Sequence, residues 1–356
     1  MTRGQTLGWF VSDRLTWAAR HLVTSAAALD STHVIPVSIV TGFLGSGKTT
    51  LIARCLHDPG FARTAVIVNE FGEIGLDHAL IASSDETLIT LTTGCLCCAV
   101  RSDLVETLLD LHQRRDQGVV TYDRVLIETS GLADPAPILH ALMTDPAVTA
   151  SHAIDTVVTV VDALLGAATL DRFPEARRQV AVADRLVLSK TDLAGPADAL
   201  RGRLAAMNPG ASIGLAGAIT AAALFPNGDP AGRTLPDRLV GSPFDRASHG
   251  DGIETIMLQR SSPLPAVALT LLLQALAEHC GTRLLRLKGL VALAELPDGP
   301  AVIHGVQHVF AEPVFLDRWP LDDHSTRIVF IGAGLPRHFP ARLLAAIEDE
   351  VRDATN

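Results

Sequence analysis

Eight consecutive residues, Gly42-Phe43-Leu44-Gly45-Ser46-Gly47-Lys48-Thr49, fit the spacing G-x-x-x-x-G-K-[ST]. Residues of these types at this spacing hold phosphate. The glycines let backbone N–H groups converge on a β-phosphate, and a helix beginning just after them adds positive potential. Lys48 then reaches the β- and γ-phosphates, and the Thr49 hydroxyl ligates Mg²⁺.

Three further segments carry chemistry that makes sense beside such a loop. Glu128-Thr129-Ser130-Gly131 follows the apolar run Val125–Ile127. An acid at the tip of a neighbouring strand holds Mg²⁺ in phosphate-loop proteins, and Glu128 suits that role. The N–H of Gly131 is placed to approach a γ-phosphate. Lys48, Thr49 and Glu128 are therefore the candidate catalytic residues. Ser189-Lys190-Thr191-Asp192 resembles the guanine-reading pattern N-K-x-D, with Ser in place of Asn. A carboxylate at Asp192 accepts from guanine N1–H and N2–H₂, donors that adenine does not offer on that edge. The Lys190 stem covers the base plane. Gly94-Cys95-Leu96-Cys97-Cys98 packs three of the five cysteines into four residues. Thiolates select Zn²⁺, Cu⁺ and similar soft ions, and three sulfurs leave a fourth ligand position open. A redox pair or inert buried cysteines are the alternatives. Between these motifs, Asn69–Asp77 (NEFGEIGLD) has the glycines and acids of a segment that senses a γ-phosphate. Glu73 and Asp77 there could assist a metal.

The elements that must position these residues are legible as an alternation. Strands are expected at Val34–Val40, Ala65–Val68, Leu88–Leu91, Arg124–Ile127, Thr156–Val161 and Arg185–Leu188. Helices are expected from Thr50 to His57, Ser102–His112, Pro135–Met143 and Pro174–Ala183. Such alternation implies an α/β fold, a parallel sheet covered by helices. Residues 226–250 are rich in Gly, Pro and Asp and have the composition of a linker. A smaller α+β domain follows over 251–356. It has a strand at Ile253–Leu258, a helix at Pro265–His279, strands near Leu284–Leu293, Ala301–Phe310 and Thr326–Ile331, and a last helix at Pro340–Arg352. Residues 1–33 form an N-terminal extension before the phosphate-loop domain, 34–225. His304 and His308, four strand residues apart, would lie about 13 Å from each other, too far for one metal.

Composition narrows the function classes. The chain has 356 residues, 48% hydrophobic and 19% charged, with a net charge of −10. That balance disfavours nucleic acid as a partner, because phosphate contacts need clustered Lys and Arg. No apolar run reaches the ~18 residues of a membrane helix. The odd cysteine count does not suit a secreted disulfide framework, so a reducing cytoplasm is the expected setting.

Together these segments resemble the CobW-like family of P-loop GTPases, the metallochaperone branch with a C-x-C-C motif. The likeness rests on Thr41–Thr50 (TGFLGSGKTT), Asn69–Asp77, Gly94–Cys98 (GCLCC), Glu128–Pro135 (ETSGLADP), Val161-Asp162-Ala163 and Ser189–Asp192. In the last third it rests on Leu284–Gly289, His304–His308 and Val329–Gly332. The resemblance implies GTP and GDP binding with Mg²⁺ and slow GTP hydrolysis. It also implies Zn²⁺, with Co²⁺ or Ni²⁺ as alternatives, and delivery of that metal to a client metalloprotein. A second copy of the chain is a further candidate partner. Nucleotide residues transfer onto Gly45, Ser46, Gly47, Lys48, Thr49, Thr50, Glu128, Gly131, Lys190 and Asp192. Metal residues transfer onto Cys95, Cys97 and Cys98, with Glu73 beside them. No catalytic Gln or Arg finger is evident, hence the expectation of slow turnover. Two other readings fit the same residues: an ATP-using kinase on the same fold, and a non-enzymatic zinc-responsive module.

Overall fold

A computed structural model describes residues 34–70, 88–92, 97–194, 197–226, 252–320 and 322–355; for 69–102 and 355 it describes the backbone alone. The contacts divide the chain at Thr255, with a unit His33–Thr255 and a unit holding Ile256–Asn356. The N-terminal extension 1–33, Glu73, Asp77, Cys95 and nearly all of the linker 226–250 lie outside the described residues.

The first unit is built on seven parallel strands: β1 (Ile35–Thr41), β2 (Thr64–Glu70), β3 (Leu88–Thr92), β4 (Arg124–Thr129), β5 (His152–Asp162), β6 (Arg185–Ser189) and β7 (Ser212–Leu215). Their order is β3-β2-β4-β1-β5-β6-β7, and each neighbouring pair is parallel. The helices are α1 (Lys48–Leu56), α2 (Cys97–Asp116), α3 (Ala136–Thr144), α4 (Pro146–Thr149), α5 (Gly166–Arg172), α6 (Pro174–Val182), α7 (Asp198–Met207) and α8 (Ala221–Leu224). The central strands are apolar on successive residues, and Val37, Ile39, Val40, Val125, Leu126, Ile127, Val157 and Val158 are all fully buried. Such runs mark strands covered on both faces, as parallel sheets require. From β1 the chain runs to one side of the sheet (β2, β3), returns through β4, and then fills the other side with β5, β6 and β7. Crevices at the carboxyl ends of strands where the order reverses are where open α/β sheets bind ligands.

One expectation needs correction here, and one strand was missed. Helix α2 begins at Cys97, five residues before Ser102, so Cys97 and Cys98 belong to its first turn. β7 was not foreseen, because its four residues, Ser-Ile-Gly-Leu, carry too few apolar positions to show a period.

The second unit contains β8 (Glu254–Arg260), α9 (Ala266–Cys280), β9 (Leu284–Leu293), β10 (Leu296–Val306), β11 (Val309–Phe310), β12 (Val314–Phe315), β13 (Thr326–Gly332) and α10 (Phe339–Thr355). Its sheet runs β11-β10-β9-β13-β8, with β12 on β10. β9 pairs antiparallel with both β10 and β13. Leu272 and Leu276 of α9 and Leu344 of α10 pack with Leu287, Val291, Ile303, Ile328 and Phe330 in one core. The expected single strand over 301–310 is instead a hairpin. Gln307 takes a positive φ of 54°, and Val306 pairs with Val309. His304 faces Lys288 across the ladder while His308 sits at the exposed turn.

β5 carries a buried imidazole and a partly buried carboxyl whose preferences oppose each other. Burial pushes the Asp155 carboxyl up to about 6, aided by nearby Asp184 and opposed by the Ser38 hydrogen bond, Arg124 and Arg185. Burial, with His112 and Arg115 nearby, pushes the His152 imidazole down to about 4. Between those values and the ordinary ones, Asp155 costs stability as pH rises from about 4 through 6. His152 restores stability as pH rises from about 4 to 6.5. The two slopes offset in the natural chain. Asp155→Asn removes only the first. The variant's urea midpoint should therefore exceed that of the natural protein at pH 7 by the equivalent of about 2 kcal/mol, and match it near pH 4. An equal gain at both pH values would show that ionisation of Asp155 is not the cause.

Candidate nucleotide site

The phosphate loop follows β1 and ends at the first turn of α1. Gly42 (φ 141°) leaves the strand where a Cβ would lie 2.3 Å from the Val160 carbonyl, and Gly47 (φ 94°) starts the helix from the left-handed region. Both positions demand glycine. No side chain caps α1 at Gly47, so its first backbone N–H groups stay available to a ligand anion. The Ser46 N–H bonds the Phe43 carbonyl and tightens the loop. The Ser46 hydroxyl is buried, with no hydrogen bond among the described residues. Its oxygen lies under the loop, 2.8 Å from where a Cβ on Gly42 would sit, so it packs the loop from beneath.

Lys48 is buried, and its Nζ donates to the Gly42 carbonyl at 3.1 Å and the Phe43 carbonyl at 3.4 Å. The ammonium thus lies across the loop it is expected to serve. Thr49 Oγ1 donates to Glu128 Oε1 at 2.7 Å. Sheet register brings that acid in: Glu128 pairs with Val40 of β1 on one side and Val68 of β2 on the other. Thr129 then donates to Thr41 at 2.7 Å, which fixes the tip of β4 to the end of β1. A hydroxyl and a carboxylate oxygen this close can face one hard divalent cation such as Mg²⁺. Thr50 is exposed on the first turn of α1. Gly131 lies against the phosphate loop itself; a Cβ there would be 2.6 Å from the Leu44 nitrogen.

The segment Ser189–Asp192 leaves the carboxyl end of β6 and reaches the same crevice. Ser189 Oγ donates to the Ser46 carbonyl at 2.6 Å. The hydroxyl that stands where the pattern has Asn therefore still ties this loop to the phosphate loop. Lys190 has a positive φ of 53°, and its carbonyl accepts from the N–H groups of Leu193 and Ala194. That turn leaves Asp192 exposed.

Asp162 is the residue whose role was not foreseen. Its Oδ1 accepts from the Leu164 and Leu165 N–H groups, and its Oδ2 accepts from Lys190 Nζ at 2.7 Å. Burial would raise its pKa, but the Lys190 hydrogen bond and the two backbone donors hold it below the ordinary carboxylate range. The ion pair fixes the Lys190 stem beside the crevice. Only the adjacent tripeptide Val161-Asp162-Ala163 hinted at it, because the partners are 28 residues apart.

Among the described residues no group of three or more His, Cys, Asp or Glu converges as a metal site. Glu73 and Cys95 lie outside the described residues, and Cys97 and Cys98 are described by backbone alone. Cys97 opens α2, five residues after β3 ends.

Residues 36–214 match the family described as CobW/HypB/UreG, nucleotide-binding domain, and residues 253–348 match the cobalamin synthesis protein cobW C-terminal domain. The zinc chaperone YjiA of Escherichia coli is 33% identical over 85% of this chain and 95% of its own length. The zinc chaperone CobW of Pseudomonas aeruginosa is 33% identical over 90% of this chain and 91% of its own. The crystal structure of the Zn(II)-bound YjiA GTPase from E. coli superposes with a TM-score of 0.67 at 26% identity, covering 89% of this chain and 99% of that one.

Ser189→Ala removes a hydrogen bond whose net worth is about 1 kcal/mol. It should weaken GDP and GTP alike by roughly fivefold, read by calorimetric titration. Asp162→Asn keeps an acceptor for the backbone but loses the ion pair with the half-exposed Lys190, and should weaken both nucleotides about threefold. Unchanged affinity in both variants would detach this loop from nucleotide binding.

Proposed function

Because the chain belongs to the CobW/HypB/UreG family, we propose that it is a GTPase that binds zinc and delivers it to a client metalloprotein under nucleotide control. The observation that carries the nucleotide half is the Ser189 hydroxyl on the Ser46 carbonyl, at 2.6 Å. It joins a guanine-reading loop to a phosphate loop, so a base on Asp192 and a phosphate chain on Gly45–Thr50 fall within one crevice. In this reading Lys48 neutralises charge on the transferring phosphoryl group, and the α1 N-terminus binds the β-phosphate. Thr49 and Glu128 would hold Mg²⁺, which supplies charge neutralisation at the phosphates when bound. Catalysis then comes from positioning and electrostatics, and turnover is slow.

The metal half rests on relatives that are named zinc chaperones and on the cysteine motif of this chain. Cys95, Cys97 and Cys98 would hold Zn²⁺ as cargo, with Glu73 in support; Co²⁺ and Ni²⁺ are the competing ions. Three thiolates and one open position suit a metal that must leave again. Exposed leucines support a protein partner that meets the nucleotide face. Leu44, Leu132, Leu164, Leu165 and Leu193 all follow the carboxyl ends of β-strands and are at least half exposed. A client and a second copy of the chain would both use such a face. The two other described cysteines, Cys55 and Cys280, are free thiols, which suits a reducing cytoplasm. Among the described residues no helix is long and apolar enough to cross a membrane.

Competition separates this reading from an ATP-using kinase. GTP and GDP should displace bound fluorescent GDP, while ATP should need at least 100-fold higher concentration, because adenine leaves Asp192 without its two donors. Equal displacement by ATP would favour the kinase. For the metal, zinc content after dialysis should fall below half in Cys97→Ser. Zinc and GTP should also change each other's affinity by one common factor. Undiminished zinc in that variant would remove Cys97 from the ligand set.

A further inference from the structure

Resting on the reading that the loop after β4 faces the terminal phosphate, we propose that Gln179 of α6 is a positioning residue that sets this loop for the triphosphate. Gln179 is 1% exposed. Its Nε2 donates to the carbonyls of Gly131 at 3.2 Å and Ala133 at 3.0 Å. Two carbonyl acceptors can only be met by the NH₂ end, so the orientation of the amide follows from its partners. Its Oε1 is then left buried, with no hydrogen bond among the described residues. A buried acceptor without a bond costs about 1–3 kcal/mol. Met or Leu would fill such a site without that cost but would leave two loop carbonyls without donors.

What Gln179 holds is the segment whose geometry matters most to a γ-phosphate. On one face Gly131 is pressed against Leu44 of the phosphate loop, with no space for a Cβ. On the other face Gln179 fixes the carbonyls of Gly131 and Ala133. Fixing a carbonyl also fixes the next peptide plane, so the amide sets the direction of the Leu132 N–H as well as the path of Gly131. The helix that carries Gln179 is itself anchored at both loops. Phe173, which precedes its first turn, stacks on Phe43 of the phosphate loop with ring centroids 4.5 Å apart. Thr159 of β5 donates to the Gln179 carbonyl at 2.7 Å. One short helix thus clamps the phosphate loop at its start and the post-β4 loop six residues later. GDP engages only the first of these loops. The contribution of Gln179 therefore falls on the triphosphate and on the hydrolytic step.

The test uses the full chain with Gln179→Met, which keeps length and loses the donor. GDP affinity should stay within twofold, while affinity for a non-hydrolysable GTP analogue falls five- to tenfold and kcat for GTP falls about tenfold. GDP binding reports folding, so a loss that is equal for both nucleotides assigns Gln179 a structural role and overturns the proposal. So does an unchanged ratio with unchanged kcat. Gln179→Glu, of the same shape but with a carboxyl facing the two carbonyls, gives a second reading should the Met variant fold poorly, and should change the ratio in the same direction. Gly131→Ala separates this proposal from the reading beneath it. A Cβ there must push the loop off Leu44, and an unchanged GTP-to-GDP ratio would mean that the loop does not face the terminal phosphate at all. A changed ratio in Gly131→Ala with none in Gln179→Met would overturn the Gln179 proposal alone.

Discussion

The site depends on one constraint: in a parallel sheet every strand delivers its carboxyl end to the same edge. Five segments that would be scattered along the chain are gathered there. The phosphate loop leaves β1, the acid Glu128 ends β4, Asp162 ends β5, Ser189 ends β6 and the segment from Asn69 ends β2. Register then decides which of them touch. Val40 pairs with Glu128, and one residue after β1 the chain enters the glycine loop at Gly42, so Thr49 and Glu128 meet at 2.7 Å. A shift of one residue in the β1–β4 pairing would point Glu128 at the opposite face of the sheet. The buried valines and isoleucines of these strands are therefore a condition of the chemistry as well as of the fold.

Once gathered, the segments at this edge are tied to one another by side-chain hydrogen bonds. Ser189 grips Ser46, Lys190 is paired to Asp162, Thr129 reaches Thr41, and Gln179 bonds Gly131 and Ala133. These bonds link residues that are 28 to 143 positions apart in the chain. Fixing loops before a ligand arrives lowers the ordering cost of binding. The same bonds leave two groups open at this edge: the exposed Asp192 and the uncapped start of α1.

The phosphate loop and the alternation of strand and helix were legible because each is a local pattern, of residue type in one case and of hydrophobic period in the other. The six expected strands all appear within a few residues of their expected bounds. What was not legible was non-local. Nothing in the run of residues tells that β4 sits between β1 and β2, since strand order is set by which crossovers pack. The pairing of Asp162 with Lys190 and the placement of Gln179 under a distant loop need the fold before they exist. Gln179 lies in PEARRQVAV, where it is one polar residue among several on a helix. The hairpin at Gln307 was missed for a different reason: a Gln at positive φ in a Gly-free turn gives no glycine or asparagine signal to find.

The sheet also limits how nucleotide and metal could communicate. β4, which carries Glu128, pairs with β2, and β2 pairs with β3. Glu70 at the end of β2 lies opposite Thr92 at the end of β3, and α2 opens at Cys97 five residues later. Strands lie about 4.8 Å apart, so the backbone that carries the proposed magnesium acid and the strand that leads to the cysteines are roughly 10 Å apart. Coupling over that distance needs no long relay. Among the described residues β3 has a neighbour on one side only, so its end can shift without breaking a second ladder. A metal site placed after β6, flanked on both sides, would have no such freedom.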